Sequence, residues 1–338
     1  MEAASHPEIM ESRKLGSSGI LVSPVCLGTM TFGSPVEKAD AIQLIHGAMD
    51  LGVNFIDTAN VYEGYERKLG SAGGVGEEIL GEAIRDRRDR VVVATKVGSP
   101  NGPGPQDAGL SPVTIHRELD RSLRRLKTDF IDLYIIHWPD AKTPLETTLQ
   151  AMEAAVKMGK IRAFGVSNHY AWQLCELLWI ADKRSWPRAV SSQIPFSMLK
   201  RHFQNDLEFC AGHDIGVTPY QILEGGLLTG KYRRGQAIPK GSRMKEHPAW
   251  IPEPDEAIYD QLEATGALAD EAGLNIAQYV TAWTLAQPAM ASVIVGAKRL
   301  EQIEDAVKGA STPLPREILD KQDAITPPPY RHRAPFGR

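Results

Sequence analysis

The feature that most constrains this chain is a repeated alternation. A short, continuous apolar run is followed by a longer amphipathic stretch, eight times over. The apolar runs fall at 25–27, 54–56, 91–95, 131–136, 163–166, 189–193, 216–218 and 292–295. The stretches between them have helical spacing; in 38–50, for example, apolar residues stand at 39, 42, 45, 48 and 49. The others are 77–84 (capped by Gly76), 111–126, 145–158, 171–181, 206–212, 256–272 with 276–286, and 300–307. The stretch from 111 opens with Ser111-Pro112, a capping hydroxyl followed by proline at the first helical position. Runs that do not alternate with polar residues suit parallel strands buried on both faces. Eight strand-then-helix units predict an α/β protein of the closed (β/α)8 TIM-barrel type. An open, doubly wound sheet would offer a G-x-G-x-x-G turn after an early strand, and 28–33 lacks it. Ahead of the first unit, 13–15 and 20–22 flank a Gly-rich turn and predict a β-hairpin. Long loops at 99–110 and 239–254 belong to the C-terminal face.

A length of 338 residues would ordinarily suggest two domains, but a barrel accommodates it in one. We expect a single domain over 1–338, with a core of 13–310 and tails at 1–12 and 326–338, where three prolines bar a helix. The net charge of −4 offers no footprint for nucleic acid. No apolar run approaches the ~18 residues of a membrane helix. Cys26, Cys175 and Cys210 are scattered, with no C-x-x-C spacing, which argues against a disulfide framework or zinc site and for a reducing compartment. With no signal-like N-terminus, the expected location is cytoplasmic.

Chemistry in a barrel sits at the C-terminal ends of its strands. Strand two is followed by Asp57 and Tyr62, strand three by Lys96 and strand four by His137. A lysine beside a tyrosine favours phenolate and lowers its pKa. A carboxylate holds that lysine charged, and a histidine can hydrogen-bond the carbonyl that the tyrosine protonates. The four suit proton transfer to or from a carbonyl.

These residues and their surroundings closely resemble the aldo-keto reductase superfamily. The matching blocks are 54–59 with Tyr62, 94–96, 132–138, 164–168, 225–232 and 295–297. The branch that also contains potassium-channel β-subunits is the most similar. The resemblance implies that Tyr62 is the general acid, tuned by Lys96 and Asp57, with His137 as a second carbonyl contact. It implies that Ser167, Asn168 and Gln193 hold a nicotinamide carboxamide and that Tyr220 stacks on the ring. Leu223, Gly225, Gly226, Leu227, Thr229, Gly230 and Lys231 would wrap the pyrophosphate. Lys298, Arg299, Gln302 and Asp305 would hold the adenosine end, and Gly28, Thr29, Met30, Asp57, Gln221 and Gly296 would complete the cofactor surface. Lys298 and Arg299 at a helix start suit a 2′-phosphate, favouring NADPH/NADP+, with NADH as the alternative.

The implied substrate is a small carbonyl compound or its alcohol, walled by Tyr62, His137, Trp138 and Phe32, with no metal. Homo-oligomerisation is left open. Three places depart from the family pattern: Gln221-Ile222-Leu223-Glu224 stands for Ser-Pro-Leu-Gly, Gly76 replaces a serine cap, and Ala306 replaces an asparagine. A carboxylate at Glu224 is unfavourable beside a pyrophosphate unless it points away. Two rival readings are a cofactor-sensing regulatory subunit like the channel β-subunits, and a metal-dependent barrel hydrolase. Such a hydrolase often carries a His-x-His pair after the first strand, and this sequence has none there.

Overall fold

In the computed structural model, which describes residues 10–68, 70–104 and 106–329, a hairpin of β1 (Arg13–Lys14) and β2 (Leu21–Val22) precedes the barrel. The barrel strands are β3 (Val25–Gly28), β4 (Phe55–Asp57), β5 (Val92–Val97), β6 (Ile131–Ile136), β7 (Ile161–Ser167), β8 (Ser191–Gln193), β9 (Gly216–Val217) and β10 (Val293–Gly296). All neighbours are parallel, in the order β10-β3-β4-β5-β6-β7-β8-β9. The ends of that row meet: Val217 N–H donates to Ala289 O (2.8 Å) and Ile294 N–H to Pro219 O (2.9 Å). The expected (β/α)8 barrel is therefore present.

The helices are α1 (Lys38–Asp50), α2 (Val75–Ala83), α3 (Pro112–Leu126), α4 (Leu145–Lys157), α5 (Ala171–Arg184), α6 (Gln204–Gly212), α7 (Arg243–Glu246), α8 (Glu256–Glu271), α9 (Ile276–Leu285), α10 (Leu300–Ala310) and α11 (Arg316–Ile325). Ser111 caps α3 as its sequence predicts, its Oγ accepting from Thr114 N–H at 3.2 Å. The cap of α2 is Gly74 rather than Gly76, which lies inside the helix. The missing serine at 76 thus removes no cap.

Strand periodicity sorts the apolar residues into two layers. Val25, Leu27, Ile56, Val93, Val97, Tyr134 and Ile136 face the helices. Cys26, Phe55, Ala94, Leu133 and Ile135 fill the barrel, with Leu15 and Val22 of the hairpin region packed into the same cluster. Phe55 and Ala94 share the inner face with Asp57 and Lys96, two residues on. Both charged residues therefore belong to strands and point into the mouth above an apolar floor.

The core extends further than 13–310. Met10 is buried, and α11 packs where no element was expected. Gln322 of α11 donates to Thr265 Oγ1 (3.3 Å), and Arg201 donates to Asp323 (2.7 Å) and Thr326 O (2.6 Å). Of the expected tails at 1–12 and 326–338, residues 1–9 and 330–338 lie outside the described residues.

Candidate active site

Asp57, Tyr62, Lys96 and His137 converge at the mouth. Lys96 is fully buried, and each N–H of its ammonium has a partner: Asp57 Oδ1 (2.5 Å), Thr58 O (2.8 Å) and Tyr62 Oη (3.2 Å). The other Asp57 oxygen accepts from Gln193 Nε2 at 2.8 Å. A buried cation and anion are thus paired and hydrogen-bonded, the condition for keeping charge in an interior. Burial disfavours the Lys96 ammonium, but Asp57 and Tyr62 outweigh it and hold the lysine above its ordinary value.

The tyrosine departs from expectation. Burial pushes the Tyr62 phenol above its ordinary value of 10, against the pull of Lys96 toward phenolate. Lys96 therefore moderates the rise rather than lowering the pKa outright. Because Lys96 donates to Tyr62 Oη, the phenolic proton must point elsewhere. His137 lies beside it, rings edge to face at 6.2 Å. Burial, with Lys96 and Arg67, holds His137 well below 6.5, so the imidazole is neutral at ordinary pH. Trp138 stacks on His137 at 5.9 Å and is half exposed. Phe32 is different: it is fully buried in the helix-facing core, so it does not form an open wall of a substrate pocket. Met30, two residues before it, is exposed.

Asn168 joins several parts of the rim. Its Nδ2 donates to His137 O and Ser167 Oγ, both at 3.0 Å, and its Oδ1 accepts from Tyr220 Oη at 2.7 Å. Ser167 Oγ in turn donates to Gln193 O at 2.9 Å. Tyr220 is thereby held as an aromatic shelf near Tyr62; burial, with Tyr62, pushes its phenol up to about 12.

The loop after β9 makes irregular 3-10 turns over Glu224–Thr229, with Gly225 and Gly226 at φ of 62° and 107°. A Cβ at Gly225 would fall 2.1 Å from the end of the Ile251 side chain, so a larger residue in this cradle, at a positive φ, would need Ile251 to move. The Glu224 carboxylate turns away from the cradle: Oε1 accepts from Ser197 Oγ (2.7 Å) and Oε2 pairs with Lys200 (2.8 Å). Its charge is neutralised by a loop 24 residues earlier in the chain. Leu223, Leu227 and Gly230 frame the cradle, and Thr229 Oγ1 donates back to Gly226 O at 2.7 Å.

Cations gather beside this loop. Lys231 lies over Tyr232, and Lys298 lies 5.7 Å from the Tyr65 ring and 3.4 Å from Glu246. The Arg299 side chain is largely exposed. Arg243, which the sequence did not single out, lies over the same Tyr65 ring at 4.9 Å and donates to its hydroxyl. Two of the expected adenosine contacts are occupied within the protein. Gln302 Oε1 caps α10 by accepting from Lys298 N–H (2.7 Å) and Arg299 N–H (3.2 Å). Asp305 Oδ1 accepts from Asn275 and Gln278, both at 2.7 Å. Ala306 is buried rather than facing this surface. Gly28, Thr29 and Gly296 are at the strand tops; Gln221 is exposed in the loop. Among the described residues no group of three or more His, Cys, Asp or Glu could hold a metal ion, and no helix is long and apolar enough to cross a membrane.

A parallel barrel with Asp, Tyr, Lys and His on successive strand tops defines an oxidoreductase-type site, and comparison with known proteins agrees. A sequence model of the Aldo/keto reductase family matches residues 24–326. An uncharacterized oxidoreductase, YrpG, of Bacillus subtilis (strain 168) is 36% identical over 329 residues, 95% of this chain and 97% of that protein. A probable voltage-gated potassium channel subunit beta of Arabidopsis thaliana is 35% identical, covering 94% of this chain and 96% of its own. Protein tas of Escherichia coli (strain K12) is 32% identical, covering 94% and 97%. The chain belongs to the aldo/keto reductase family.

Proposed function

We propose that the protein reduces an aldehyde or ketone to its alcohol with NADPH, reversibly. The observation that supports this most is the saturated Lys96 ammonium, which donates into Tyr62 Oη and leaves the phenolic proton for a ligand in the mouth. A carbonyl oxygen there would accept from Tyr62 and from neutral His137. The residues suit a dinucleotide: Tyr220 offers a flat shelf beside Tyr62, the loop through Gly225 and Gly226 holds both glycines at positive φ next to Lys231, and Arg243, Lys298 and Arg299 add further cations. When bound, the reduced nicotinamide supplies the hydride for the carbonyl carbon. Tyr62 gives its proton to the oxygen, and Lys96, held by Asp57, stabilises the phenolate that remains. In the reverse direction Tyr62 accepts the alcohol proton. Trp138 would form one wall for the substrate.

Steady-state NADPH consumption with a panel of aldehydes and ketones tests this reading. Tight NADPH binding with no turnover of any carbonyl would favour a cofactor-sensing regulatory subunit instead.

Two further outcomes are expected. With Tyr62 protonated and His137 neutral, kcat/KM for reduction stays flat over about pH 6–9 and declines only at higher pH. The sign follows from the reactive forms: reduction needs the phenol and oxidation needs the phenolate, so oxidation gains as reduction falls. A pH series in both directions checks this; an acid limb centred near about 6.5 contradicts the neutral histidine. Replacing Lys298 and Arg299 together by alanine weakens NADPH by about fivefold or more while NADH changes less. Titration of both nucleotides decides it, since equal losses mean the 2′-phosphate is read elsewhere, with Arg243 the first candidate.

A further inference from the structure

The mouth contains a polar residue that the proposed chemistry leaves unassigned. Ser99 Oγ lies 3.0 Å from His137 Nδ1. The hydroxyl is almost fully buried, and among the described residues Nδ1 is its only hydrogen-bond partner. We infer that Ser99 is a positioning residue: its hydroxyl donates to His137 Nδ1, fixing the imidazole as the Nε2–H tautomer with that proton facing the substrate oxygen. The inference rests on the carbonyl-reductase reading for its catalytic consequence, though not for the tautomer itself.

A neutral imidazole has one N–H and one acceptor nitrogen, and the partner of one nitrogen dictates the state of the other. The Ser99 proton has no other acceptor to satisfy among the described residues. Nε2 makes no hydrogen bond among the described residues and is not one of the fully buried unpaired atoms, so it stays accessible to a ligand. The opposite tautomer would put a lone pair toward a carbonyl oxygen, where it repels. With Ser99 as donor, Tyr62 O–H and His137 Nε2–H present two donors to one oxygen.

The serine is held where this requires. β5 ends at Val97, and Gly98 turns the chain with φ +112°, a conformation closed to most side chains. Gly109 N–H donates to Gly98 O at 2.9 Å, closing the base of the 99–110 loop. Asn101 donates from its side chain to Glu118 Oε2 and from its backbone to Asp107 O (2.8 Å). Glu118 is itself buried and also accepts from Asn60 Nδ2 at 3.1 Å, on the loop that leads to Tyr62. Arg67 donates to Pro100 O. The loops carrying Tyr62 and Ser99 thus share one buried carboxylate, and Ser99 sits between the fixed points of its own loop.

The test is two-bond 1H–15N correlation of histidine-labelled protein, with His137 assigned from a His137→Gln sample. The wild type is expected to show the Nε2–H tautomer. In Ser99→Ala the His137 signals move toward a tautomer mixture, and in Ser99→Thr, which keeps the hydroxyl, they return. With a reducible carbonyl, Ser99→Ala lowers kcat by about fivefold to tenfold while NADPH affinity stays within about twofold, and Ser99→Thr recovers most of the rate. An Nδ1–H tautomer in the wild type, or an unchanged tautomer in Ser99→Ala, overturns the proposal. If the tautomer shifts as expected but the wild type reduces no carbonyl, the positioning role stands and the proposed reaction falls.

Discussion

Replacing Tyr62 by phenylalanine is expected to reduce carbonyl turnover by about 10²–10⁴-fold while leaving NADPH affinity nearly unchanged. The substitution deletes one hydroxyl and keeps the ring that packs against Lys96 and His137. It removes the atom through which, among the described residues, Lys96 reaches the mouth, since the other two lysine donors are committed to Asp57 and Thr58. Single-turnover rates and nucleotide titration on the same preparation separate chemistry from binding. Turnover equal to wild type would rule out Tyr62 as the proton donor.

Replacing Lys96 by methionine should have two large effects. Turnover falls, because the phenolate left by proton transfer loses its counter-charge. Stability also falls by about 3–5 kcal/mol, the usual result of removing one partner from a buried ion pair. Here the stranded group is Asp57, left with Gln193 as its side-chain donor. The two effects can be separated by adding Asp57→Asn. The double variant removes both charges, so it should regain much of the stability measured by denaturant unfolding while remaining inactive. Recovery of activity in the double variant would show that neither charge is needed for turnover.

The fold was readable because its signals are local. Continuous runs such as 131–136 have few alternatives to a buried parallel strand, and Ser111-Pro112 states a helix start in two residues. The tetrad was readable because a lysine or aspartate adjoining such a run is anomalous, and strand periodicity fixes which way it points. What stayed hidden depends on partners distant in the chain. The packed face of α11 is short, with Ile318, Leu319 and Ile325 interrupted by the buried polar Gln322. Nothing near Glu224 announces that Lys200 and Ser197 neutralise it. The direction of the Tyr62 shift follows from burial, which a motif does not display. Nor does the sequence display that one oxygen each of Gln302 and Asp305 is engaged at a helix N-terminus. Arg243 lay inside a proline-rich excursion that offers no period, and its neighbour Tyr65 belongs to another loop.

The junction at Asn168 has a consequence for how this molecule can diversify. Outside anchors such as Ser99, Asn101, Arg243 and Ile251, the excursions at 99–110 and 239–254 can change in length and composition, and such changes are felt mainly at the rim. Asn168 allows no such independence, because one amide grips the His137 backbone, Ser167 and the Tyr220 hydroxyl together. A mutation there disturbs the aromatic shelf and the histidine in a single event. Variation selected for new substrates should therefore accumulate around this position while leaving it in place.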